Sequence, residues 1–124
     1  MALPLPPNTT CDIYHGPNAP PAAPDIAGEP CHLSARFGEY GSRQGAGDQW
    51  RYTHVLAVGP TTDVRDEYDA GDAGTTVPDT VYVPDKDGTP FVVVFVERVG
   101  RGTAQDHKRV YLDRKQPTWP TNEL

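Results

Sequence analysis

The side chains best suited to chemistry in this chain are carboxylates. Asp63, Asp66, Glu67, Asp69 and Asp72 crowd one polar stretch, and several oxygens held together are what a hard cation such as calcium requires. Asp85-Lys86-Asp87-Gly88 also opens like a calcium loop. An EF-hand loop needs glycine sixth and a bidentate glutamate twelfth. Counted from Asp85, Gly88 stands fourth and Val96 twelfth, so the expectation is a tight turn rather than an ion site. Cys11 and Cys31 pair with His15 and His32 as Cys-x3-His and Cys-His, whereas zinc sites space their cysteines two to four residues apart. The remaining histidines, His54 and His107, stand alone. No nucleophile elbow, Walker loop or G-x-G-x-x-G occurs. Gly100-Arg101-Gly102 resembles a phosphate-loop fragment but joins two strand candidates. Asp106 and His107 imitate an acid/base pair, yet neighbouring strand residues face opposite ways. The expectation is a protein that is not an enzyme and uses no cofactor or metal.

The elements that must position these residues are strands. Gly (12) and Pro (14) are abundant in the 124 residues, which disfavours helix interiors and favours strands, turns and extended segments. Cys31–Phe37 alternates Cys/Leu/Ala/Phe against His/Ser/Arg, the period of a half-buried strand. Gly38–Gly47, with four glycines, reads as a loop. Trp50–Val58 is a second strand, closed by Gly59-Pro60. Thr80–Pro84 is a third, and Asp87-Gly88 within Asp85–Thr89 is a strong hairpin signal. Phe91–Val96 is the most apolar run and reads as a central strand covered on both faces, continuing to Val99. Arg109–Asp113 is the last strand. The fold class is therefore all-β: a small antiparallel barrel or sandwich of about five strands, in which 80–84, 91–99 and 109–113 form a meander holding most of the core. Length fits one domain, divided as a Pro-rich arm over 1–30, a barrel over 31–115 with a loop at 61–79, and a tail over 116–124.

The arm holds eight of the fourteen prolines, and Pro20-Pro21-Ala22-Ala23-Pro24 should be extended. Ile13, Tyr14 and Ile26 are apolar anchors that fit a strap over a neighbouring subunit; the alternative is an arm packed on its own domain. Trp119 anchors the tail. Met1–Pro7 lacks the basic and apolar regions of a secretion signal, so the expectation is an intracellular or particle-borne protein with Cys11 and Cys31 as free thiols. No stretch has the length of a membrane span.

Net charge is −6, against a bulk electrostatic role in nucleic-acid binding. The charge is uneven: five acids and three bases over 1–60, eight and two over 61–90, four and six over 91–124, for nets of −2, −6 and +2. One acidic segment and one basic end suit head-to-tail stacking of copies; a solvated loop beside an ordinary strand is the alternative. The basic group is Arg98, Arg101, Lys108, Arg109, Arg114 and Lys115, open to subunit contacts, to a DNA backbone, or to ion pairs with Glu97, Asp106 and Asp113.

A strand at His54–Val58 is followed by Pro60-Thr61-Thr62-Asp63-Val64-Arg65-Asp66 and a polar loop over 67–79. Then come Thr80–Gly88, the Val-rich Phe91–Val99 and Arg109–Asp113. This order resembles the head-closure, or stopper, proteins of the tailed-phage head–tail connector. The resemblance covers residues 54 to 113. It implies an SH3-like β-barrel with a long inserted loop, assembled in the host cytoplasm into a ring of identical copies at the head–tail junction of the virion. It further implies portal, adaptor and tail proteins as partners, and DNA passing without specific binding. Asp69, Asp72 and Asp79 would line a negative surface facing the lumen or a neighbour. Tyr14, Ile26, Asp63, Arg65, Asp66, Arg101, Arg109 and Trp119 would contact other subunits. A capsid decoration or minor tail protein is the nearest alternative. A peptide-binding SH3-like module, with Trp50, Tyr52, Tyr68 and Tyr82 as its aromatic groove, is the more distant one.

Overall fold

The computed structural model describes residues 6–40, 50–66, 69, 71 and 77–114, the side chains of 37–40, 50 and 51 excepted. It has six strands: β1 Thr9–Tyr14, β2 Ile26–Tyr40, β3 Trp50–Val58, β4 Thr80–Val83, β5 Thr89–Val99 and β6 His107–Arg114. They close into a barrel in the order β1-β2-β3-β6-β5-β4, with every neighbouring pair antiparallel. The expected all-β class is what the chain adopts, and β4, β5 and β6 form the expected meander.

The core follows from period-2 alternation, which sends every second side chain inward. Ile13, Leu56, Val58, Val81, Val110 and Leu112 are each fully buried. Burying a side chain of this size contributes about 2 kcal/mol. Val64, which belongs to no strand, is only 2% exposed and joins the same cluster.

Besides the longer reach of β2, which runs Ile26–Tyr40 where a strand over Cys31–Phe37 and a loop from Gly38 were expected, two features depart from the sequence reading. The Pro-rich stretch supplies β1, which pairs with β2 on one side and closes the barrel against β4 on the other. Between β1 and β2 the chain folds back over the outside of β1, where the Tyr14 hydroxyl donates to Ala22 O at 2.8 Å. Tyr14 is fully buried and its ring meets Tyr82 edge-on at 5.3 Å. Over its described residues the expected strap therefore binds its own barrel, because Cys11 and Ile13 are needed to complete the core. Ile26, half-buried, packs on that core as well. The second departure is β5. A closed barrel has one inner face, so Phe91 and Val93 point in, and a bulge between Val93 and Phe95 then turns Phe95 outward beside Tyr111. The expected cover on both faces is a feature of a stacked sheet, not of this one.

The hairpin between β4 and β5 is as expected. Gly88 is required by close approach: a Cβ there would lie 2.1 Å from Val83 O. Cys11 and Cys31 are free and buried. They sit on adjacent strands, and contact with the Cys31 thiol together with burial pushes the Cys11 thiol up, so it stays protonated.

Candidate interaction site

The motif that carries the family resemblance begins the long connection between β3 and β4. Over 61–66 the side chains alternate between interior and solvent. Thr62, Val64 and Asp66 are buried, Thr61 and Asp63 are exposed, and Arg65 is intermediate. The segment belongs to no sheet ladder; the Thr62 N–H donates to Gly59 O at 3.2 Å and the Val64 N–H to Thr62 O at 3.0 Å, and its other polar groups are met from other segments. Thr62 donates its hydroxyl to Glu29 Oε2 at 2.8 Å, and Lys108 Nζ donates to Thr62 O at 2.7 Å.

Asp79, at the far end of the connection, closes it. The Asp79 N–H donates to Arg65 O at 3.0 Å, and the Arg65 N–H donates back to Asp79 Oδ2 at 2.9 Å. Asp79 Oδ1 accepts from Gly16 N at 3.3 Å, and Oδ2 lies 2.7 Å from His15 Nδ1. One buried carboxylate therefore ties the start of the connection to its end and both to the turn after β1. Burial pushes the Asp79 carboxyl up, while the hydrogen bonds from His15, Arg65 and Gly16 pull against that shift.

The outer rim of this knot is charged. Arg65 grips Asp63 with two nitrogens, Nε to Oδ1 at 3.1 Å and Nη2 to Oδ2 at 2.8 Å. That contact holds the Asp63 carboxyl below the usual carboxylate range. His15 Nε2 faces the same carboxylate at 3.7 Å, so the ring stands between two aspartates. Asp25 Oδ2 accepts from the His15 backbone N–H at 2.7 Å and from Asn18 Nδ2 at 3.0 Å. These contacts, the Asn18 amide first, hold the Asp25 carboxyl down.

Two further aspartates work as struts. Asp66 accepts from Asp69 N at 2.9 Å and from Val96 N, just past the β5 bulge, at 3.0 Å. Asp12 accepts from Gly28 N at 2.8 Å and Lys86 N at 2.9 Å. Asp12, Asp66 and Asp79 are each buried and spend their oxygens mainly on backbone donors, most of them far away in the sequence. Such carboxylates hold distant parts of the chain together.

Of the residues expected to act at a surface, Asp63, Arg65, Asp66 and Asp79 do converge. Only Asp63 and Arg65 face outward. Asp79, with no exposed area, does not line a negative surface, because its charge is consumed inside the connection. Asp66 and Tyr14 are interior for the same kind of reason. Asp69 is exposed, with its carboxyl pushed up by partial burial and by the Asp66 charge. Arg101 is exposed in the β5–β6 turn, and Arg109 faces Glu97 at 3.6 Å. Asp72, Tyr68 and Trp119 lie outside the described residues. Tyr52 packs on Tyr111 at 4.9 Å and Tyr82 on Tyr14, so these two aromatics sit on different strands, each against its own partner. His15 and Asp25 were not legible as part of a site. The His15–Asp79 contact spans 64 positions, and no local spacing announces it.

Among the described residues, no three His, Cys, Asp or Glu side chains gather as metal ligands. A concavity of about 210 Å³ lies among Leu33, His54, Val83, Phe91 and Arg114, where burial, then the Arg114 charge, keeps the His54 ring low in pKa. No family model, curated protein or solved structure matches the chain.

Proposed function

We propose that this protein is a structural component of a tailed-phage virion. It is assembled in the host cytoplasm and forms a ring of identical copies at the head–tail junction, between portal and adaptor on one side and tail on the other. One observation supports this reading above the rest. The segment Pro60–Asp66, on which the resemblance rests, is the locked foot of a long β3–β4 connection on a closed barrel. A compact barrel with a long inserted loop is the architecture that the resemblance implies. The function is assembly. Asp63 and Asp69 present negative charge on the connection, and negative charge beside a DNA channel repels phosphates, letting the duplex pass without sticking.

The test is to measure the mass of the purified protein alone and after mixing with portal–adaptor assemblies, and to locate it in purified particles. Assembly into a ring on that template, or a position at the neck, is the expected result. A protein that ignores the template and is absent from particles would overturn the reading. A position on the shell or along the tail would replace it with a decoration or minor tail role.

A further inference from the structure

The outer face of β2, β3 and β6 carries a basic groove of about 130 Å³. Leu56, Val58, Val110 and Leu112 point into the core, so the residues between them face outward. His32, Ala57 and Arg109 stand in one row across the three strands. Ala57 is the small member between two long ones, which is why the row is concave. Val55 continues the floor, His107 lines the groove from β6, and Arg36 lines it from β2.

This groove is prepared for negative charge. No acidic side chain lines it. Arg36 is exposed and makes no side-chain hydrogen bond or ion pair among the described residues. Arg109 is 40% exposed and meets Glu97, its partner on β5, at 3.6 Å. His32 Nδ1 lies 2.9 Å from Pro6 O and His107 Nδ1 2.7 Å from Gln105 O. A carbonyl only accepts, so both rings carry a proton on Nδ1, and the charge that the groove offers a ligand is that of Arg36 and Arg109.

The chain's own acids lie elsewhere. In the closed strand order, β3 and β4 are three steps apart in either direction, on opposite walls. The wall opposite the groove ends in the β4–β5 turn, where Asp85 and Asp87 are exposed on either side of an exposed Lys86. Two complementary patches on opposite walls of one molecule make a heterologous, head-to-tail contact, which closes into a ring where its rotation closes and extends as a filament where it does not.

We propose that the groove of Arg36, Arg109, His32 and His107 receives the acidic β4–β5 turn, through Asp87, of a second copy of this chain. This rests on the reading of the protein as a ring former and names the surfaces that meet.

The test is sedimentation of the isolated chain across a wide concentration range at about 0.15 M salt, with three variants. Arg36→Glu and Asp87→Lys each place the wrong sign on one patch. Neither parent side chain holds the fold through a hydrogen bond or ion pair among the described residues, and an unchanged melting temperature verifies folding. The wild type is expected to associate weakly, each single variant at least about tenfold more weakly, and the double variant to recover. A wild type that stays monomeric throughout, or an Arg36→Glu variant that associates as well as wild type, overturns the proposal. So does a wild type that binds a DNA duplex through Arg36 without self-association, which would make the groove a phosphate site. Because no portal or particle is present, failure here is separate from failure of the head–tail reading.

Discussion

Asp79 and Asp106 are both aspartates that secure a connection between antiparallel strands, and they do so in opposite environments. Asp79 has no exposed area and accepts from two backbone amides, with a histidine against one oxygen. Asp106, at the β5–β6 turn, takes a two-pronged contact from Arg98, Nε to Oδ1 at 2.6 Å and Nη2 to Oδ2 at 2.7 Å. Burial pushes the Asp79 carboxyl up, whereas the Arg98 guanidinium pulls the Asp106 carboxyl down to about 2. A low pKa marks a comfortable charge, but comfort is not strength. A pair reached by water loses little when broken, because water replaces the partner. A buried carboxylate that serves several donors cannot be replaced, and its loss leaves each donor stranded.

The largest expected effect is therefore at Asp79. Asp79→Ala should cost about 3 kcal/mol, read as a lower denaturant midpoint with an unchanged slope. Asp79→Asn, which keeps an acceptor oxygen, should cost distinctly less. Equal losses for the two variants would show that the space, not the hydrogen bonds, matters. Asp66→Ala comes next, at about 2 kcal/mol, since it strands the amides of Val96 and Asp69; amide exchange at Val96 should quicken with it.

The acid limb of stability separates the two carboxyls by sign. An aspartate held low in the fold leaves the unfolded chain binding more protons, so its contribution fades as pH drops from about 4 toward about 2. Asp106→Asn should flatten that fall. Asp79 behaves oppositely: the folded state takes up its proton first, so stability rises as pH falls through its raised pKa toward the unfolded value. Asp79→Asn should remove that rise, and a pH profile identical to wild type would sink the assignment. Smallest of all is Arg98→Ala at neutral pH, whose slight effect should shrink further in molar salt, while the Asp79→Ala loss should persist.

Legibility in the sequence followed the range of the interaction. The Asp87-Gly88 turn, the strands before and after it and the final strand were all readable, because alternation and turn chemistry are local properties of the chain. Pro60–Asp66 was singled out, yet whether each acid faced in or out was not. Asp63 and Asp66 are three apart in a stretch without a ladder, and only the packing of Val64 into the core sets which parity is buried. The first strand was missed because proline density outweighed a short apolar run, and nothing local says that Thr9–Tyr14 will be needed to close a barrel.

By itself the sequence determined an all-β chain, its late hairpin and meander, and the unequal distribution of charge along it, since each depends on residue type and on neighbours within a few positions. Only the tertiary structure decided that the barrel closes through β1 and β4. It alone decided that Asp12, Asp66 and Asp79 turn inward to hold distant amides, and that Arg36 and Arg109 share one outer groove. These outcomes depend on which strands become neighbours, and that is settled by burying one common core rather than by any local preference of the chain.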